Sequence, residues 1–260
     1  MLLEGKKALI TGSRRGIGRG IALAFAEQGA DVGINDIERD QAAEDTMAMV
    51  REQGREASWH LADISDSSDI NRMFDEFVEH HGRIDVLVNN AVASRKKHTL
   101  EILEEDWDFE VGNALKGYFL CSQRAAKEMV KQDEGGKIVS ISSVHAFRAW
   151  PNDLVYGVCK AGVIRMAQSL AVDLADYGIT ANCVAPGFID SQLLAPEDEH
   201  LRGTGESYEK ALHAIPSRRA GVPRDIAGAV VFLCSELGDY VNGDCITVDG
   251  AFLAGGTPPR

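Results

Sequence analysis

The chain has 260 residues, 45% of them hydrophobic, which suits one compact domain with a sizeable core. A formal net charge of −13 argues against a nucleic-acid surface and against docking on an anionic membrane, and no apolar run approaches the roughly 20 residues of a membrane helix. The five cysteines, Cys121, Cys159, Cys183, Cys234 and Cys245, are scattered and show no CxxC spacing, so they read as ordinary thiols in a reducing cytoplasm, and no metal is expected.

The N-terminus lacks a basic stretch followed by an apolar run, so no secretion signal is expected. Residues 7–11 (KALIT) read as a buried strand, and 16–28 as a helix with Ile17, Ile21, Ala24 and Phe25 on one face. Strand 31–35, helix 41–53 and strand 57–61 follow, then helix 68–80 with Ile70, Met73, Phe74 and Phe77 at helical spacing. Strand 84–88 precedes a long helix over 106–131, and strand 137–141 precedes another over 153–177. Strand 180–184, helix 224–233 and strand 245–248 complete the series. Between them, 188–214 is rich in charge and turn residues, including Pro196-Glu197-Asp198-Glu199 and Arg202-Gly203-Thr204-Gly205, and is expected to be a lid over substrate. Such βα alternation, with strands apolar along their length, predicts an α/β fold: a three-layer, doubly wound parallel sheet of about seven strands with helices on both faces. Ligands of such sheets bind beyond the carboxyl ends of the strands.

The loops at those ends carry the chemistry. Thr11-Gly12-Ser13-Arg14-Arg15-Gly16-Ile17-Gly18 follows the first strand. Gly12 allows a tight turn, Gly16 lets backbone approach a pyrophosphate, and Gly18 lets the helix pack close, with the helix N-terminus favouring the anion. Asp36 ends the second strand, where an acid accepts bonds from ribose hydroxyls and repels a 2′-phosphate, which favours NAD over NADP; its alternative is a helix N-cap. Arg14 and Arg15 point the other way, as a basic pair suits a 2′-phosphate. Asp63, followed by Ile64, stands where it can meet the adenine or simply make a turn, and Asn89-Asn90-Ala91 can line the cofactor. Tyr156 and Lys160 sit four apart on a predicted helix and so share a face. Free tyrosine titrates near pH 10, so an acid/base working near neutrality needs roughly 4 kcal/mol of help toward phenolate. Lys160 and a cationic nicotinamide can supply it. Ser143 lies 13 residues before Tyr156, with Ser142 competing for the role of holding the substrate oxygen.

Taken in this order, the motifs resemble the short-chain dehydrogenase/reductase family over nearly the whole chain, to Val248-Asp249-Gly250, with Ile215-Pro216 a further mark. The resemblance implies a Rossmann fold and hydride transfer between a nicotinamide and an alcohol or carbonyl compound. It makes Tyr156 the acid/base, Lys160 the holder of the nicotinamide ribose, and Ser143 the group that orients substrate. Pro186-Gly187, Ile189 through its backbone, and Ser191 are implied cofactor contacts. A homotetramer built on the two long helices is also implied.

Two positions depart from the family pattern. Val92 stands where Asn-Asn-Ala is normally followed by glycine, and valine resists positive φ. Counting W-x6-N from Trp107 puts Ala114 where the catalytic asparagine belongs, and Asn113 one residue early, about 100° round a helix. A one-residue bulge can restore Asn113; otherwise a backbone carbonyl has to hold the relay water. Arg95, Lys96, Lys97 and His98 can draw an anionic substrate, while His145, Arg148, Trp150 and Phe188 are candidate pocket residues. A polar pocket is expected, suited to a sugar, polyol or hydroxy acid. The competing functions are an NADPH-dependent reductase of 3-oxoacyl thioesters and a non-catalytic nucleotide-binding relative.

Overall fold

The computed structural model describes residues 1–192 and 203–255. Seven parallel strands form one sheet: β1 (Lys7–Ile10), β2 (Asp31–Asp36), β3 (Ala57–Leu61), β4 (Val86–Asn89), β5 (Gly136–Ile141), β6 (Ile179–Pro186) and β7 (Cys245–Val248). Their order is β3-β2-β1-β4-β5-β6-β7, the doubly wound arrangement that the βα alternation predicts. Side chains of a strand alternate in direction, so both faces of the sheet need cover. Ala8 and Ile10 of β1 pack beneath α1 (Gly16–Glu27), α2 (Gln41–Glu52) and α8 (Pro223–Cys234). Leu9 points the other way, into a core built by α3 (Ser67–His81), α5 (Gly117–Gln132) and α6 (Leu154–Asp173). Phe74 and Phe77 are fully buried there, each worth about 1.5–3 kcal/mol in apolar burial.

Local signals set the helix ends. Asp66 caps α3 by accepting from Ser68 N at 2.7 Å, and Gly82, at φ +78°, ends it. The long helix expected over 106–131 is interrupted. It divides into α4 (Glu104–Val111), a π-helical turn (Gly112–Lys116) and α5. The helix expected over 153–177 ends at Asp173, before a 3₁₀ turn (Ala175–Tyr177) and Gly178. Among the described residues, two α-helices lie outside the sequence reading: α7 (Glu206–Ala214) and the short α9 (Phe252–Gly255). No described helix is long and apolar enough to cross a membrane.

Candidate active site

Between β1 and β4 the strand order reverses, and beyond the carboxyl ends of these strands lies a cleft of about 1170 Å³. Gly12, Arg14, Arg15, Gly16, Ile17, Asp36, Asp63, Ile64, Asn90, Ala91 and Ser191 all line it. A Cβ on Gly12 would stand 2.6 Å from Ala91 Cα, and one on Gly18 only 2.3 Å from Gly12 O, so neither position admits a side chain. Gly16 has φ +62° and nothing nearer its missing Cβ than Ser191 Cβ at 3.6 Å, which leaves backbone open to the cleft. Asn90 Nδ2 fastens this loop by donating to Thr11 O (3.0 Å) and Gly12 O (2.9 Å). Helix α1 has no side-chain N-cap and no acid in its first turn, so its leading N–H groups remain to receive an anion. These features fit the pyrophosphate of a dinucleotide.

Carboxylates dominate at the end of β2. Arg14 Nε lies 3.6 Å from Asp36 and one terminal nitrogen 3.1 Å from Glu38, and Arg14 also bonds Asp40. At 8% exposure it is committed to this network, whereas Arg15 is exposed. Asp63 accepts from Ser65 N at 2.8 Å in a turn while still facing the cleft.

Ser143 follows β5, and Tyr156 lies in the first turn of α6 with Lys160 one turn later. All three line a second cavity of about 380 Å³, which shares Ile17, Asn90 and Val92 with the cleft. Ser143 Oγ accepts from His145 N at 3.2 Å and bonds Tyr156. The adjacent Ser142 instead donates to Lys160 O at 2.8 Å, so it fastens α6. Lys160 Nζ donates to Ile141 O (2.8 Å) and to the buried Tyr118 hydroxyl (3.3 Å), a partner that the sequence did not suggest. Burial lowers the Lys160 pKa to about 8. Burial also pushes the Tyr156 phenol above its ordinary value; the Ser143 bond opposes this, and Asp153 and Glu110 add to it. The Lys160 ammonium stands 5.5 Å from the Tyr156 ring centre and donates to Ile141 O.

Counted back from Gly117, Asn113 lies four residues away where the family pattern has three, and the π turn over Gly112–Lys116 accommodates that extra residue. Asn113 faces the cleft, its Oδ1 accepting from Ala93 N (2.9 Å) and its Nδ2 donating to Phe109 O (2.7 Å). Ala114 is buried against Val155 and Cys159. Val92 keeps an ordinary negative φ and stands between the two cavities.

Pro186, Gly187, Phe188 and Ile189 form one wall of the smaller cavity, and His145 and Trp150 another part of it. The basic cluster does not join them. Arg95 lies over the Phe109 ring at 4.0 Å and reaches Asp106 at 3.4 Å, Lys97 bonds Asp106 at 2.6 Å, and the exposed Lys96 lines neither cavity. Asp106 is 2% exposed, and a carboxylate so buried requires cationic partners. Arg148 likewise stays outside, over Phe252 at 5.3 Å. The expected polar pocket is mostly apolar among the described residues, with Val144, Ala211, Ile215 and Phe252 on its walls. Its distinctive polar group is His145, whose Nδ1 bonds the buried Asp153. The imidazole stacks on Trp150 at 4.2 Å and meets the Tyr156 ring edge-on at 5.4 Å. Asp153 carried no signal in the sequence, because the intervening turn decides the pairing. Of the expected lid, residues 193–202, with Pro196–Glu199 and Arg202, lie outside the described residues. In its described part, Tyr208 Oη donates to Asp190 at 3.2 Å, and α7 sets Ala211 and Ala214 in the cavity wall.

Comparison with known proteins adds context. A family model described as enoyl-(acyl carrier protein) reductase matches residues 12–252. The chain is 38% identical over 253 residues to a 2-dehydro-3-deoxy-D-gluconate 5-dehydrogenase of Escherichia coli K12, covering 97% of each. It is also 38% identical over 245 residues to a 3-oxoacyl-[acyl-carrier-protein] reductase of Staphylococcus aureus Mu50, covering 94% of this chain and 97% of the other. An Agrobacterium tumefaciens structure with bound NADP superposes with a TM-score of 0.85 at 36% identity, covering 97% of this chain and 98% of that one.

Proposed function

Since the chain belongs to the short-chain dehydrogenase/reductase family, we propose that it moves a hydride between NAD and the secondary alcohol or ketone of a small hydroxy acid, within one domain. The observation that carries this reading is the meeting of Ser143, Tyr156 and Lys160 on the wall of a cavity that opens onto the dinucleotide-sized cleft. When bound, the nicotinamide supplies the hydride acceptor or donor. Gly16 and the α1 amides would hold its pyrophosphate, Asp36 the adenosine ribose, and Lys160 the nicotinamide ribose. Ser143 donates to the substrate oxygen while Tyr156 exchanges the proton at that same atom. The first turn of α6 lends positive potential to the phenolate, and Lys160, with a pKa of about 8, is mostly cationic at pH 7. Asn113 secures the backbone at Ala93 beside the cofactor cleft.

NAD is preferred in this reading because Asp36, Glu38 and Asp40 occupy Arg14, which leaves an acidic surface where a 2′-phosphate would sit. His145, oriented by Asp153, is the group placed to bond a substrate carboxylate or neighbouring hydroxyl. The Escherichia coli relative's sugar-acid name supports that class, while the apolar walls favour a substrate with one apolar face. Those walls, with the Staphylococcus relative, also favour a second reading: reduction of 3-oxoacyl thioesters. A homotetramer through α5 and α6 is supported by outward-facing Phe119 (43% exposed) and Val172 (78%). The free cysteines suit a reducing cytoplasm. The test is NADH and NADPH formation over a panel of hydroxy acids, sugar acids, polyols and 3-hydroxyacyl thioesters. Turnover of small hydroxy acids with NAD supports the proposal; turnover restricted to thioesters with NADP replaces it with the second reading.

A further inference from the structure

At the amino-terminal edge of the sheet, β3 is preceded by Glu56, and α3 ends in His80 and His81. This is the opposite end of β3 from the nucleotide cleft, which Ala62 lines. We propose that Glu56, His80 and His81 bind one divalent transition-metal ion of the zinc type, tying the end of α3 to the start of β3.

Geometry is the first argument. One ligand atom from each residue lies within 4.8 Å of the others. His80 Nε2 is 3.0 Å from Glu56 Oε1, and His81 Nδ1 is 3.8 Å from Glu56 Oε2. Ligands at zinc distances of about 2.0–2.1 Å in a tetrahedron stand about 3.4 Å apart, so rotamer adjustment of the exposed Glu56 and His80 suffices. His81 supplies the second argument. Its side chain has no exposed surface, yet Nδ1 has no hydrogen-bond partner and faces the carboxylate. A buried polar atom without a partner is costly unless something fills its lone pair.

The surroundings prepare that lone pair. His81 Nε2 bonds Ser58 Oγ at 2.8 Å, and the same oxygen bonds His60 Nε2 at 2.7 Å. One hydroxyl can accept from one ring and donate to the other. With His81 Nε2–H donating to Ser58, Nδ1 is left bare, which is the outer-shell arrangement that fixes metal-binding imidazoles. The carbonyl end of α3 adds negative potential, and the nearby Lys7 is already paired with Asp31. Water would complete four-coordination.

The test is calorimetric titration of the chelator-treated full chain with Zn²⁺, and visible absorption with Co²⁺ as the probe. One equivalent should bind, with a four-coordinate cobalt spectrum and a raised melting temperature. His80→Ala, half-exposed and so safe for folding, and Glu56→Gln should each weaken binding at least about tenfold, and Ser58→Ala about tenfold. Hydride-transfer turnover of His80→Ala without metal should match wild type. Absence of saturable binding, or His80→Ala binding as tightly as wild type, would overturn the proposal.

Discussion

Ser142 and Ser143 are neighbours with the same side chain, and the structure assigns them unrelated work. Ser143 Oγ lines the smaller cavity and bonds the Tyr156 phenol. Ser143→Ala removes a positioned donor to the substrate oxygen, a loss worth about 10²–10³ in kcat, or roughly 3–4 kcal/mol of barrier. It also frees His145 N–H, a bond of 3.2 Å, which costs at most about 1.5 kcal/mol of stability. Ser142→Ala removes a buried 2.8 Å bond to Lys160 O, whose carbonyl keeps its helical partner. That costs about 0.5–1.5 kcal/mol of stability, a few degrees of melting temperature in a chain of this length, with turnover close to wild type. Steady-state kinetics beside thermal melts separate the two. Should Ser142→Ala lose as much turnover as Ser143→Ala while melting like wild type, the assignment of the two hydroxyls is wrong.

Three other outcomes follow from the same coordinates. Asn113→Ala should raise the cofactor KM by loosening Ala93, whereas Ala114→Asn should destabilise by about 1–3 kcal/mol through overpacking against Val155 and Cys159; a more active, equally stable Ala114→Asn would show that position 114 faces the site. Lys160 has a pKa of 10.5 unfolded and about 8 folded, so between those values the unfolded chain binds more protons, and the Lys160 penalty is relieved as pH rises through that window. At about 1.4 kcal/mol per unit this is roughly 3 kcal/mol; Lys160→Met should gain its stability advantage below pH 8 and lose it toward pH 10.5, read by urea midpoints, and a pH-independent difference would contradict the buried cation. Asp36→Ser should shift kcat/KM at least about tenfold toward NADP by removing the carboxylate at the ribose position, with Arg14 still held by Glu38 and Asp40, while an unchanged ratio would place specificity elsewhere.

The sheet was legible in the sequence because its strands are buried on both faces and read as short apolar runs between amphipathic helices. The glycine loop, Ser143, Tyr156 and Lys160 were legible because each sits at a strand end or one helical turn from another. The π turn was legible only as the one-residue bulge that the displaced Asn113 invites, since a helical pattern specifies a face and not an inserted residue. The basic cluster misled for a similar reason: Asp106 lies in α4, and only the fold shows that it draws in Arg95 and Lys97. That Arg14, weighed as half of a basic pair suited to a 2′-phosphate, is claimed by Glu38 and Asp40 was not legible, because those two acids follow Asp36 in a separate loop. Among the described residues the pocket is less polar than expected, because its walls come from distant segments, Val144, Phe188, α7 and Phe252, that periodicity assigns to no common surface.

The most direct measurement is NAD reduction by wild type and Tyr156→Phe across the hydroxy-acid panel, each checked for folding by its melting temperature. Removing the proton-exchanging hydroxyl should leave a folded protein whose kcat falls by about 10²–10⁴. Equal turnover by the two proteins on every substrate would contradict the account at its centre.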